Sequence, residues 1–374
     1  MSDQLDVGDE IQFARRGDLV VVTLNRPRAL NALTMAMCRA LDEGLRAWQA
    51  DPEVGAVLIK GTGDRAFCAG GDIRWLHGVL TTQGVDEALR FYALEYPMNA
   101  RLHHFTKPWI ALLDGIVMGG GVGVSVHGSH RIVTERTVFA MPETGIGLFP
   151  DVGATYMLPR LPGALGLYLG LTGARLDAAD CLHAGIGTGH VAADRLDALE
   201  DALAAVDLRG DAFAQVDAVL ARFESDPGPA PIVDLRDRID RCFGRESLAA
   251  IWDGLADETS GWGVAQCEEL ATKSPSSLAV TFRQLCQGAT LDFNSAMQLE
   301  YRLVHRFMAG HDFREGVRAL LIDKDRHPKW RPERLSDVTE TMVDGYFAPL
   351  PGGDLRLDEA RGFRGNGAPW SHDT

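Results

Sequence analysis

The sequence has no CxxC pair. Its six cysteines, at 38, 68, 181, 242, 267 and 286, stand at least 19 residues apart. That spacing argues against a zinc ribbon or a redox dithiol and reads as scattered, reduced thiols. Basic residues are in the minority: 37 Lys and Arg against 52 Asp and Glu, a net charge of −15. Such an excess argues against duplex nucleic acid or an anionic membrane as main partner. An anionic small ligand stays open, because backbone N–H groups or a local basic patch suffice for it. No apolar run is long enough for a membrane span, since the richest stretch, Trp109 to Val126, carries Asp114 and five glycines. The opening MSDQLDVGDEIQFARRGD lacks the basic and apolar regions of a signal peptide and is too acidic for a transit peptide. A cytoplasmic protein is therefore expected.

What is present is ordinary globular material in which strands alternate with helices. The β-branched run 19–24 ends at Asn25-Arg26-Pro27 and reads as a strand into a turn. Met37, Leu41, Leu45 and Trp48 recur at helical spacing behind Thr34, a candidate N-cap. Further strands are expected at 57–59, 108–113 and 131–134, the last followed by the segment 138–141, with a helix over 84–103. This alternation through residue 160 indicates an α/β domain. After about residue 164 helical periodicity takes over, with helices expected in succession from 165 to 308. The linker candidate is Asp226-Pro-Gly-Pro-Ala-Pro231. The expected division is a core over 10–225, a helical region over 232–350 and a loose tail over 351–374.

Two glycine clusters, Ala69-Gly70-Gly71-Asp72 and Gly119-Gly120-Gly121, each follow a buried strand and open a helix. Free N–H groups at a helix start, approached closely over glycine, could form an oxyanion hole. Tight turns alone would explain the same glycines. Neither a dinucleotide fingerprint nor a GxxxxGK[ST] loop is present. Gly123-Val-Ser125-Val-His127 has histidine where a nucleophile elbow needs glycine, so Ser125 reads as a helix residue. His127 and His130 have a possible ligand spacing but no third ligand beside them, and a structural role is preferred. In Met141-Pro-Glu143-Thr-Gly-Ile-Gly-Leu-Phe-Pro-Asp151, two carboxylates stand eight apart among apolar side chains. Burial there would raise their pKa toward useful acid–base values. The competing reading makes Asp151 an N-cap and Glu143 a surface charge.

The motifs FCAGGDI (67–73), KPWIALLDGIVMGGGVGVSVHG (107–128) and FAMPETGIGLFPDVGATYMLPRLPG (139–163) resemble the crotonase (enoyl-CoA hydratase/isomerase) superfamily. NRPRALNALT, KSPSSLAVTFRQL and HDFREGVRALLIDKDRHPKW extend the likeness over nearly the whole chain, which is most similar to the 3-hydroxyisobutyryl-CoA hydrolase branch. The resemblance implies a crotonase (ClpP-like) α/β fold of repeated ββα units with a helical C-terminal region. It places the oxyanion-hole N–H groups on Gly71 and Gly120 and the catalytic glutamate on Glu143. Asp151 assists, and Glu95 contacts substrate. A hydratase's second glutamate falls on Gly123, which has no side chain. The implied ligand is an acyl-CoA thioester, with Arg28 and Lys324 as candidate partners for its phosphates. The implied reaction is hydrolysis of 3-hydroxyisobutyryl-CoA, as in valine catabolism. No metal or redox cofactor is implied, CoA being part of the substrate, and a homo-oligomer is allowed. Enoyl-CoA hydration, another crotonase reaction and a non-catalytic acyl-CoA-binding role stay open as alternatives.

Overall fold

A computed structural model describes residues 8–357. Its larger sheet has six strands: β1 (Ile11–Arg16), β2 (Leu19–Leu24), β3 (Ala56–Gly61), β5 (Trp109–Leu113), β7 (His130–Val133) and β9 (Gly189–His190). They lie in the order β1-β2-β3-β5-β7-β9. β1 pairs antiparallel with β2, and every other pairing is parallel. Sidedness follows from the two-residue strand period. Val20, Val22, Leu24, Val57 and Ile59 enter one core, while Leu19, Val21, Ala56 and Leu58 enter another on the opposite face. That double burial explains why LVVVTL reads as a continuous apolar run. Helices α1 (Met35–Ala50) and α3 (Val85–His103) cover the first face, and Leu199, Leu203, Val216 and Val219 cover the second.

A smaller, parallel sheet holds β4 (Ala66–Cys68), β6 (Ile116–Met118) and β8 (Val138–Ala140), with β6 in the middle. The chain crosses from the large to the small sheet three times, from β3 to β4, β5 to β6 and β7 to β8. These are the repeated ββα units that the resemblance implies. Because the three small-sheet strands run parallel, the segments leaving them emerge along one edge. Those segments carry Gly70 and Gly71, Gly119 and Gly120, and Glu143. Ligands of open parallel sheets bind at the carboxyl ends of the strands.

Most expected elements form within a few residues of their anticipated limits. Thr34 does cap α1, its Oγ1 accepting the Met37 N–H at 3.2 Å. β1 is an addition to the expected strands: the alternation in Ile-Gln-Phe-Ala and the turn at Gly17-Asp18 signal a hairpin within an otherwise polar stretch. The later helices Pro275–Gly288 and Phe293–Ala309 contribute Leu278, Leu285, Met297 and Leu303 to the same core as α1 and α3. Asp354 pairs with Arg302, and Leu355 O accepts from Gln298 Nε2 at 3.2 Å. The rest of the expected tail, 358–374, lies outside the described residues. No helix among the described residues is long and apolar enough to cross a membrane.

Candidate active site

The two glycine loops meet. Leu33 bridges the first by donating its N–H to Gly70 O (2.8 Å) and accepting from Asp72 N–H (2.9 Å), so the N–H of Gly71 takes no part in the bridge. Asp72 then caps α2 (Ile73–Thr82), with Oδ1 accepting the Trp75 N–H at 3.1 Å and Oδ2 held by Arg26 at 2.8 Å. In the second loop Gly119 has φ +49°, a region that favours glycine. Gly120 opens the short helix α4 (Gly120–Gly123), where an N–H has no intrahelical acceptor. A Cβ on Gly120 would lie 3.2 Å from Gly71 N and 2.6 Å from Glu95 Oε1. Glycine at 120 thus lets two backbone N–H groups and one carboxylate share a small space.

Glu143 begins the turn after β8 and is 5% exposed. Its Oε2 has no hydrogen-bond partner among the described residues. A Cβ on Gly119 would lie 3.4 Å from its Oε1, which places the carboxyl against the second glycine loop. Burial first, then the charge of Asp151, pushes the Glu143 carboxyl well above its ordinary pKa. Burial and Asp151 do the same to Glu95, whose Oε1 is also unpartnered among the described residues. The surface-charge reading of Glu143 is therefore wrong.

Asp151 is 5% exposed, and its carboxyl is raised by burial to about 7. The Tyr96 phenol donates to its Oδ2 at 2.8 Å. Its side chain caps no helix, so the N-cap reading also fails. The capping group is Glu300, fully buried on the helix Phe293–Ala309, which accepts the Gly153 and Thr155 N–H groups at 2.9 Å each. Burial and the charge of Asp151 raise Glu300 to about 8. Gln284 Nε2 adds bonds to Pro150 O (2.6 Å) and Thr155 Oγ1 (2.7 Å). Four carboxyls, those of Glu95, Glu143, Asp151 and Glu300, thus share one buried region. Burial raises the pKa of all four, and like charges so placed disfavour one another's ionisation.

The sequence singles out Glu95, Glu143, Asp151, Gly71 and Gly120, and the structure brings them together. It leaves Arg28 and Lys324 exposed, without an ion pair among the described residues. Arg28 belongs to the turn Pro27–Ala29, which is joined to the first glycine loop by the Ala69 N–H to Leu30 O bond of 3.0 Å. Gly123 has no room for a side chain: a Cβ there would lie 2.8 Å from Val152 Cβ and 2.9 Å from Asn99 Oδ1. His127 has a structural role, its Nε2–H donating to Val152 O at 2.7 Å, while His130 Nε2 lies 3.0 Å from Asp217 Oδ1. No group of three His, Cys, Asp or Glu among the described residues is placed to hold a metal.

Tyr96 and Glu300 escape the sequence reading. A signal for Glu300 does exist. Phe293, Ala296, Met297, Glu300, Leu303, Val304 and Phe307 form one buried helical stripe, and a carboxylate on such a stripe needs partners.

Residues 19–347 match the family profile described as Enoyl-CoA hydratase/isomerase. The 3-hydroxyisobutyryl-CoA hydrolase of Danio rerio, a mitochondrial protein, is 44% identical over 94% of this chain and 92% of its own length. The mitochondrial enzyme of that name from Homo sapiens is 42% identical over 96% and 93%. Among solved structures, a carnitinyl-CoA dehydratase from Mycobacterium thermoresistibile superposes with a TM-score of 0.87 at 39% identity, covering 94% of this chain and 100% of its own. An enoyl-CoA hydratase from Rhodobacter sphaeroides gives 0.86 at 38% identity, with 93% and 100% covered. The relatives correct one expectation: they are named as mitochondrial, which points to the mitochondrion rather than the cytoplasm. Reduced thiols report a reducing environment, and that does not single out the cytoplasm.

Proposed function

The chain belongs to the enoyl-CoA hydratase/isomerase family, and from that membership we propose that it hydrolyses 3-hydroxyisobutyryl-CoA to the free acid and CoA. The observation that carries the choice of reaction is the closed space at Gly123. Hydration of a double bond calls for a second carboxylate at this helix position. Here Val152 and Asn99 fill the space a side chain would need. The names hydratase and dehydratase belong to the two solved neighbours, and Gly123 argues against the same chemistry here.

In this reading the thioester oxygen sits between the N–H groups of Gly71 and Gly120, which form an oxyanion hole for the charge that develops on it. Glu143 drives the attack by one of two routes. As a base it takes a proton from water while the water oxygen bonds to the carbonyl carbon. The C–S bond then breaks and the sulfur receives a proton. As a nucleophile its carboxylate bonds to that carbon, CoA leaves with a proton, and water cleaves the resulting anhydride. Asp151, with its carboxyl near 7, is the group suited to hold or pass that proton at neutral pH. Glu95 faces the acyl group beside Gly120. Arg28 and Lys324 are offered to the CoA phosphates. Thioester hydrolysis transfers no electrons, so the reading calls on no redox cofactor. A branched 3-hydroxy acid as product supports a role in valine degradation.

The test is release of free thiol from 3-hydroxyisobutyryl-CoA, run beside the absorbance loss of crotonyl-CoA on hydration. Thiol release should be the faster. Robust hydration without thiol release would overturn the proposal.

A further inference from the structure

We infer that the phenol of Tyr92 recognises the 3-hydroxyl of the acyl group and so sets the preference for hydroxylated substrates. The inference rests on the proposed thioester chemistry and concerns selectivity within it. Tyr92 lies on α3 three residues before Glu95 and four before Tyr96, a spacing that puts all three on one helix face. It is 2% exposed, and its hydroxyl has no hydrogen-bond partner among the described residues. The ring is wedged edge-on against Phe91 at 5.5 Å and Tyr96 at 5.6 Å, which fixes where the hydroxyl points. Tyr92 shares its helix face with Glu95 and with Tyr96, whose own hydroxyl bonds Asp151, and the charges of Asp151, Glu95 and Glu143 bear on the Tyr92 hydroxyl. Burial and those charges together hold its pKa far up, and it stays a donor throughout the neutral range.

A buried donor left unpaired is costly, and native sites seldom carry one without a use. Tyr96, one turn along, already spends its hydroxyl on Asp151. Tyr92 does not. A substrate hydroxyl both donates and accepts. Glu95 Oε1, also buried and unpartnered among the described residues, offers the acceptor, and Tyr92 offers the donor. An acyl group without the hydroxyl leaves both unpaired, and sites built to bond a hydroxyl reject analogues that lack it.

The test compares Tyr92→Phe with the parent protein on 3-hydroxyisobutyryl-CoA and on isobutyryl-CoA, which lacks the hydroxyl. The ratio of the two kcat/KM values should fall by roughly tenfold, the scale of one neutral hydrogen bond. Affinity for non-hydrolysable ketone analogues of both thioesters, with a methylene between carbonyl and sulfur, gives a readout independent of turnover. The variant should lose the same factor for the hydroxylated analogue relative to the other. Thermal melting checks that the isosteric change leaves the fold intact. An unchanged ratio in the binding measurement overturns the role of Tyr92. Absence of thiol release by the parent protein overturns the hydrolase reading instead, and the binding ratio still decides on Tyr92.

Discussion

Tyr96 donates a 2.8 Å hydrogen bond to Asp151 Oδ2, joining α3 to the loop after β8. The bond lowers the Asp151 carboxyl against a burial that raises it to about 7. Tyr96→Phe removes the donor and keeps the ring. The Asp151 carboxyl should then titrate at higher pH, as read from its carboxyl resonance in labelled protein. An unmoved titration would mean that the phenol has no electrostatic hold on Asp151.

The charge of Asp151 raises the cost of ionising Glu143, so their variants should not act independently. Glu143→Gln and Asp151→Asn each remove one charge at nearly constant volume. If both serve one proton-transfer unit, the double variant loses much less activity than the two single losses combined. Fully additive losses in the free energy of activation, obtained from kcat/KM of all four proteins, would show separate roles.

Glu300 holds a turn that resists its own backbone. Val152 has φ +53°, an unfavourable conformation for a β-branched residue, and Gly153 follows at +92°. Glu300→Gln replaces one acceptor oxygen by a donor facing a backbone N–H. It should cost about 1–3 kcal/mol where the parent residue is protonated and well tolerated. The pH dependence has a definite sign. The folded-state carboxyl is raised to about 8, so its contribution is fully present below the unfolded carboxyl pKa of about 4 and is lost as pH rises through about 8. The stability deficit of Glu300→Gln should accordingly be largest near pH 5 and shrink toward pH 8. Melting curves across that range check it, and a deficit growing with pH would contradict it.

Gly123 gives a steric prediction. Gly123→Ala should destabilise the fold by about 1–3 kcal/mol, because the added methyl meets Val152 and Asn99. Gly123→Glu should not gain crotonyl-CoA hydration. Denaturant unfolding checks the first statement and the absorbance assay the second.

Much of this was legible in the sequence, for identifiable reasons. The small-sheet strands are short, but each ends in a distinctive segment: Gly70-Gly71, Gly119-Gly120 or Pro142-Glu143. The parallel order that aligns them is a property of the fold, and the family resemblance carried it. Asp151 stood out because it sits in the same apolar loop as Glu143. Glu300 did not, because a helix distant in sequence delivers it to Gly153 and Thr155. Tyr92 and Tyr96 look like core aromatics in a periodic stretch. Only their hydroxyl partners distinguish them, one bonded to Asp151 and the other unpartnered among the described residues. The compartment was misread because an acidic opening and scattered cysteines constrain it weakly.

The most direct test of the account is the turnover of Glu143→Gln on 3-hydroxyisobutyryl-CoA. The glutamine keeps the shape of a buried side chain but can neither take a proton from water nor form an anhydride. With folding confirmed by melting and with substrate affinity retained, free-thiol release should fall by roughly 100-fold or more, the scale of lost general-base catalysis. Turnover close to that of the parent protein would contradict the account.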